Sequence, residues 1–578
     1  MKRKVTTKSK VWLETFLGLA ILLLIGFIAT IKFDRFDLTE EKRHSLTAST
    51  IRFMEDLDDV VYIKVFLDGD FPADYQRLRQ SIKEKLDEMK AYAGDKIQYE
   101  FINPSAAEDR QSREEMYGEL VKKGLNYTSL QIREKDGISE KIVFPGALIS
   151  FKDKEFPLQI LQNQQRATDA QMVNRTINNL EYSLVNAIYQ VKETDRKKVA
   201  FVEGHGELSP IETKSIETEL EKHYDVDRVD ISGMINSLSR NIAGEGSRFN
   251  RYDAIIVARP TEEFSEQDKY IIDQFVMLGG KVVWMLDAMQ VSMDSLLTSD
   301  VTMALPLRTN LDDLLFKYGV RLNRDVLLDR TCAPISLLTG PPGNERSELF
   351  PWYYKPILIP QESHPIVANV DPIVSEFIGS IDTVDAPGIS KKVILTTSEY
   401  TKILKSPARV SFNIVSIDPN FGNANRPNQP VAVLLEGEFE SNFANRLPPN
   451  FYDERILDFR DRSPYTRQLV IADGNVAANP VSTDGKKFRE LGFDPVIGRK
   501  MYGNGDFLVN ALNYLLGDAA LISVRSRSIA LRKLDDEQII QEREKWQVIN
   551  IVLPVVFTLI FGLFQWFFRK RTYSKRSN

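Results

Sequence analysis

One cysteine in 578 residues, Cys332, rules out a disulfide within the chain and any cysteine-based zinc cluster. Histidine is almost as scarce. His44, His205, His223 and His364 are the only four, and no two stand at ligand spacing. A basic excess is missing too: the net charge is −6 and the pI about 5.7, the wrong sign for a nucleic-acid partner. No G-x-x-x-x-G-K-[ST] occurs, and FVMLGGK has Phe275 where the first glycine belongs, so phosphate cradling by a P-loop is excluded. Nor is there a G-x-S-x-G elbow. Cys332 sits in DRTCAPIS, which is not a strand-turn-helix corner. No cofactor and no metal are expected.

Long apolar runs are present at the two ends only. VWLETFLGLAILLLIGFIATI, Val11 to Ile31, has 21 residues and a single acid, Glu14. At about 1.5 Å per residue it is long enough for a bilayer core. It exceeds the apolar core of a signal peptide, and no small-x-small cleavage site follows. VINIVLPVVFTLIFGLFQWFF, Val548 to Phe568, also has 21 residues and carries no charge. Trp546 and Trp566 flank it as interfacial aromatics do, and Pro554 is tolerable inside a membrane helix. Residues 1–10 and 569–578 each carry five Lys/Arg and no acid. Basic flanks mark the cytoplasmic side, so both termini are expected in the cytoplasm. Residues 34–533 then form a body across the membrane. Glu14 is a candidate polar contact to a partner helix; snorkelling at the membrane edge explains it equally well.

The body reads as α/β in three segments. Residues 34–193 open with VVYIKVFLDGDFP, a strand, followed by a helix with Leu78, Ile82, Leu86 and Met89 on one face and Gly94 at its end. KIQYEFINP completes a β-α-β unit with parallel strands. A hairpin about Lys135-Asp136-Gly137, a further strand and an amphipathic helix follow. The order is that of a thioredoxin-like layer, but DGDFPAD holds no C-x-x-C, so redox chemistry is absent. Residues 196–323 alternate strands and helices, which implies a doubly wound sheet. Ser265 with Asp268 marks a helix start, and NLDDLLFKYGVRL is read as one helix. Residues 324–533 are a mixed α/β region completing or extending that domain.

One turn resembles a functional site. VAFVEGHGELS places Glu203, Gly204, His205, Gly206 and Glu207 between a strand and a helix. Gly204 and Gly206 match the first two glycines of G-x-G-x-x-G, but Ser209 stands at the last, where close helix packing needs glycine. Glu203, His205 and Glu207 alternate and would share a side of an extended turn, as metal ligands do. The favoured reading is a tight turn permitted by its glycines, with His205 hydrogen-bonded locally. As a candidate binding or docking turn it comprises residues 203–207.

Taken together, the basic start and first span, VYIKVFLDGDFP, KIQYEFINP, VAFVEGHGE, YDAIIVARP with LGGKVVWMLD, GNGDFLVNALNYLLGD and the second span resemble the gliding-motility-associated ABC transporter auxiliary subunits of GldG type. The resemblance covers nearly the whole chain. It implies a non-catalytic, substrate-binding-like subunit in the bacterial inner membrane with a large periplasmic body. Its partners would be a polytopic permease and a cytoplasmic ATPase, with a link to gliding or surface protein export and an envelope or surface-protein ligand. The middle module resembles one in intraflagellar transport proteins, related in shape to class I glutamine amidotransferases (a GIFT-type domain). The alternative is a periplasmic hydrolase or carbohydrate-binding module using Glu203, His205 and Glu207.

Overall fold

The computed structural model describes residues 12, 15–21, 24, 45–517 and 536–573. Within the body the gaps are 107–108, 135–136, 162–168, 193–195, 242–247, 342, 361–363, 368–369, 417–418, 420, 423–424 and 445–458. The described part of the first expected span is helical and exposed; Glu14 and the first ten residues lie outside the described residues. The chain divides into a body, residues 1–528, and a separate C-terminal unit, residues 529–578.

The N-terminal part of the body runs α1 (Ala48–Glu55), β1 (Val61–Val65), α2 (Ala73–Ala93), β2 (Ile97–Phe101), α3 (Arg110–Lys122), β3 (Thr128–Glu134), β4 (Gly137–Val143), β5 (Gly146–Phe151), β6 (Lys154–Gln159) and α4 (Asp169–Lys192). Its four-stranded sheet has the order β2-β1-β5-β6, and β3 pairs with β4 as a separate hairpin. β1 and β2 are parallel, whereas β5 and β6 run antiparallel to their neighbours. Leu78, Ile82, Leu86 and Met89 are fully buried, because a 3.6-residue period brings them to one face of α2. That helix packs against α4.

The larger part is built on β7 (Lys198–Glu203), α5 (Lys214–Glu221), β8 (Asp225–Asp230), β9 (Ala254–Ala258), α6 (Glu266–Met277), β10 (Lys281–Met285), α7 (Asp312–Tyr318), β11 (Ile389–Thr396), β12 (Pro430–Gly437), β13 (Thr466–Ile471) and α8 (Asn504–Leu516). Seven strands form one sheet in the order β11-β12-β13-β10-β9-β7-β8. From β8 to β13 all neighbours are parallel; β12 and β11 add antiparallel pairs. Every residue of β9 is buried, as expected of a central strand covered on both faces. Phe201, Ile256, Val283 and Met285 share one face with Ile216 and Leu220 of α5 and Leu508 and Leu512 of α8. The C-terminal region thus supplies three strands to the sheet begun at residue 198.

Two local features show how sequence chemistry sets these elements. Ser265 and Asp268 form a reciprocal capping box at the start of α6. The helix read across NLDDLLFKYGVRL is shorter than expected: it stops at Tyr318, with Gly319 left-handed at φ 107°. Val320–Leu322 then pairs antiparallel with Ile381–Thr383, because glycine at that position ends the helix and frees the next residues for a strand.

The C-terminal unit is one helix, α9 (Asp536–Tyr573). Its stretch Lys545–Phe568, 24 residues of mean hydropathy 2.2, is long and apolar enough to cross a membrane. Pro554 lies inside it, and Thr558 Oγ1 donates to the Pro554 carbonyl at 2.7 Å. Lys570 lies over the Trp566 ring at 5.0 Å, a cation on an interfacial aromatic.

Asp273 of α6, fully buried, joins three distant segments. It accepts from Ser441 Oγ at 2.6 Å, Asn442 N at 2.9 Å, Tyr318 Oη at 2.9 Å and Gln274 Nε2 at 3.1 Å. Asp273→Ala leaves these buried donors without an acceptor. It should cost about 3 kcal/mol of body stability in a denaturant titration.

Candidate functional site

In an open α/β sheet, ligands gather outside the carboxyl ends of the strands where the strand order reverses. Here the chain leaves β7 to β8 on one side and returns to β9 on the other, so that point lies between β7 and β9. The turn after β7 is Gly204-His205-Gly206, and the segment after β9 begins at Arg259. The sequence motif therefore stands at the expected place.

The crevice there is filled by the protein itself. Thr261 N and Glu262 N both donate to the His205 carbonyl at 2.9 Å, and Leu208 N donates to the Ala258 carbonyl at 3.0 Å. Gly204 and Gly206 have φ of 116° and 70°, left-handed values that favour glycine. A Cβ at Gly204 would come within 2.3 Å of Ser232 Oγ, and one at Gly206 within 2.2 Å of Thr261 Oγ1. These glycines admit neighbouring loops rather than a pyrophosphate.

His205 is buried beneath the turn. Its ring stacks on Phe264 at 3.7 Å with an interplanar angle of 7°. Nε2 lies 3.2 Å from Asp268 Oδ2, and Nδ1 lies 3.4 Å from Glu207 Oε1, a charge contact that is not aligned as a hydrogen bond. Asp268 also accepts from Ser265 Oγ at 2.6 Å and from Gly233 N at 2.7 Å. Glu207 Oε2 takes the His205 backbone N–H at 2.7 Å. Burial works against a charged imidazole, but the Glu207 and Asp268 carboxylates outweigh it and raise the His205 pKa. Asp268 is lowered: burial pushes it up, and Ser265, Gly233 and His205 together overcome that.

Glu203 does not join this group. It pairs with Arg228, which also binds Glu217 and donates to Thr213 Oγ1 at 2.9 Å and the Leu208 carbonyl at 2.8 Å. The three alternating residues thus diverge, because Glu203 is the last residue of β7 and faces its parallel neighbour β8. Asp268 replaces it beside His205 from 63 residues away. Cys332 is half-buried, and burial pushes its thiol up to about 12, so it is no thiolate at neutral pH.

A second cluster lies at the carboxyl ends of β9, β10 and β13, and sequence inspection did not find it. Gly474 N donates to Asp287 Oδ1 at 2.7 Å, and Glu376 N donates to Asp473 Oδ2 at 2.8 Å. Arg259, left-handed at φ 54°, reaches Asn475 Oδ1 at 2.6 Å and Glu212 Oε1 at 3.2 Å. Burial raises Asp287 to about 6, with Gly474 and Arg259 opposing and Glu376 adding to the rise. Burial and then the charge of Asp287 drive Asp473 well above the usual carboxylate range. Burial also raises Glu376, against Lys355 and Arg259. Asp287 and Asp473 are thus both held above the ordinary carboxylate range. No group of three or more His, Cys, Asp or Glu among the described residues has a metal-holding arrangement. The available signal was an acid directly after an apolar strand, in WMLDA and VIADG, and it reads equally as a turn residue.

Two pH responses follow. His205, with a raised folded pKa, contributes stability in full below about pH 6.5, and the contribution fades as pH climbs through the folded value. Between pH 6 and 9, on the order of the range that matters here, Tm should fall more steeply for the wild type than for His205→Gln. Asp287 is an acid with a raised folded pKa, so its contribution is full below about pH 3.9 and is lost through about pH 6. Asp287→Asn, always neutral, should gain up to about 2 kcal/mol over the wild type at neutral pH and nothing near pH 4. Thermal melts across pH check both.

Comparison with known proteins adds the context. Residues 40–150 match a domain of unknown function, DUF7088. An uncharacterized protein of Borreliella burgdorferi (strain ATCC 35210 / DSM 4680 / CIP 102532 / B31) is 20% identical over 577 residues, covering 96% of this chain and 97% of that one. A solved mmIFT52 N-terminal domain is 12% identical and covers 56% of this chain and 98% of its own; its TM-score of 0.31 is too low to establish a shared fold. Residues 196–511, more than half of the chain, match the family model ABC_transp_aux, described as an ABC-type uncharacterized transport system, and the protein belongs to that family.

Proposed function

We propose that the protein is a non-catalytic, membrane-anchored accessory subunit of an ABC transporter, coupling an extracytoplasmic body to a polytopic permease and a cytoplasmic ATPase. The observation that carries this reading is family membership over residues 196–511 together with the apolar helix Lys545–Phe568 that follows. Family membership implies a transport-associated accessory role alongside other ABC components. The basic tails at residues 1–10 and 569–578 support cytoplasmic termini in the bacterial inner membrane, with the body in the periplasm. The resemblance to GldG-type subunits narrows the process to gliding motility or surface protein export.

The finer fold assignments belong to the same reading. The order β2-β1-β5-β6, with a β-α-β start and an antiparallel pair before α4, supports a thioredoxin-like layer. The sheet holding β7 to β10 supports an amidotransferase-like module. The absence of catalysis is argued from the turn. Glu203, His205 and Glu207 are each engaged by internal partners, and the protonated Cys332 thiol is a poor nucleophile. This counts against the hydrolase alternative.

The test replaces residues 11–31 or 548–568 by unrelated spans of equal length, in the full chain expressed with its transporter. Loss of the permease and ATPase from the detergent-extracted complex is expected for at least one replacement. Retention of both partners by both variants would show that the spans carry no coupling.

A further inference from the structure

Between β13 and α8 the chain makes two short hairpins. In the first, Val481 is bridged to Phe488, and Gly485 N donates to the Ser482 carbonyl at 2.8 Å in the turn. The second pairs Phe493–Asp494 with Arg499–Lys500. Their common base is fixed to the body. Leu491 is buried, and its N–H donates to Ser215 Oγ of α5 at 2.8 Å. Tyr502 Oη donates to Asp494 at 2.9 Å. The tips are open: a Cβ added at Gly485 or Gly498 would meet nothing within 4 Å.

These tips carry bases and apolar side chains together. Residues 481–503 hold five Lys/Arg against three acids, in a chain of net charge −6. Lys486, Lys487, Arg489 and Lys500 are exposed and Arg499 is half-buried. Among the described residues none of the five lies in an ion pair. Of the acids, Asp494 is buried and accepts from Val496 N at 2.9 Å, and Asp484 accepts from Ser482 Oγ at 2.5 Å. Glu490 stays exposed. Beside the bases, Phe488 is 43% exposed, Val496 37% and Ile497 36%, so each keeps more than a third of its surface in water. Bases next to apolar side chains suit a surface that is anionic outside and apolar beneath, which is what a lipid headgroup layer offers.

We propose that the two hairpin tips dock on the anionic lipid surface of the membrane that holds α9, Lys486, Lys487 and Lys500 meeting lipid phosphates and Phe488, Val496 and Ile497 entering the interface. The inference rests on the reading of α9 as a membrane anchor. A patch of this size binds lipid weakly by itself. Here α8 ends at Leu516 and the membrane stretch begins at Lys545, so the chain's own anchor keeps headgroups at high effective concentration. That favours lipid over a freely diffusing acidic protein.

The test reconstitutes the full chain, carrying Cys332→Ser and a polarity-sensitive fluorophore on Thr483→Cys or Val496→Cys, into vesicles of phosphatidylcholine alone or with about 30% phosphatidylglycerol. Bromine-labelled lipid should quench the label at least about twofold more in the anionic vesicles, and high salt should remove the difference. Lys486→Gln, Lys487→Gln and Lys500→Gln together, all exposed changes, should return quenching to the phosphatidylcholine level. The proposal fails if the two compositions give equal quenching, or if the triple variant behaves as the parent. It fails equally if the label is shielded only when permease and ATPase are reconstituted alongside, which would assign the tips to a protein contact. Alkaline carbonate extraction reads the anchor separately. Chain that stays in the vesicles with an unresponsive label overturns the lipid contact alone; chain that washes out overturns the anchor as well.

Discussion

The body depends on the pairing of β10 with β13. Residues Val282–Met285 lie beside Gln468–Ile471 in parallel register, although more than 180 residues separate them. The fully buried Trp284 Nε1 donates to Gln468 Oε1 at 2.9 Å across this seam. Without that edge, β13 has no parallel neighbour, and β12 and β11 lose the strand on which they stack. Parallel strands must be covered on both faces, so the same pairing fixes where α8 returns to cover the sheet. Asp273 reinforces it from outside the sheet by holding the segment after β12 onto α6 and α7.

That sheet offers two places for chemistry, and its loops treat them differently. At the reversal of strand order, loops meet by direct hydrogen bonds, glycines let them close, and His205 is stacked and charge-paired beneath them. The turn thereby joins the exits of β7 and β9 to the start of α6. Farther along the same edge, Asp287, Asp473 and Glu376 crowd around a left-handed Arg259. There, burial leaves carboxyl groups protonated at a pH where free acids would be ionised.

Much of the local structure was legible in the chain. The face formed by Leu78, Ile82, Leu86 and Met89, the Ser265 cap with Asp268, the apolar strand YDAIIVARP and the C-terminal apolar helix all follow from short-range periodicity and capping. The helix across NLDDLLFKYGVRL was overextended, because Leu322 continues the apolar spacing while Gly319 ends the helix. The alternation of Glu203, His205 and Glu207 suggested convergence. In the fold Glu203 turns to β8, and Asp268 takes its place.

By itself the sequence determined particular local elements, among them the buried face of α2, the Ser265 cap and the apolar helix Lys545–Phe568, because those choices rest on neighbours within a few residues. It also excluded disulfide, P-loop and nucleophile-elbow chemistry, since each of these needs residue types that are missing. Tertiary structure alone decided that strands from residues 389–471 complete the sheet, and that the glycine turn is closed by Thr261 and Ser232. It likewise decided that three carboxyl groups from distant segments share one buried corner. Each of these is a contact between residues far apart along the chain, and burial, which shifts charge and fills space, arises only once those segments pack.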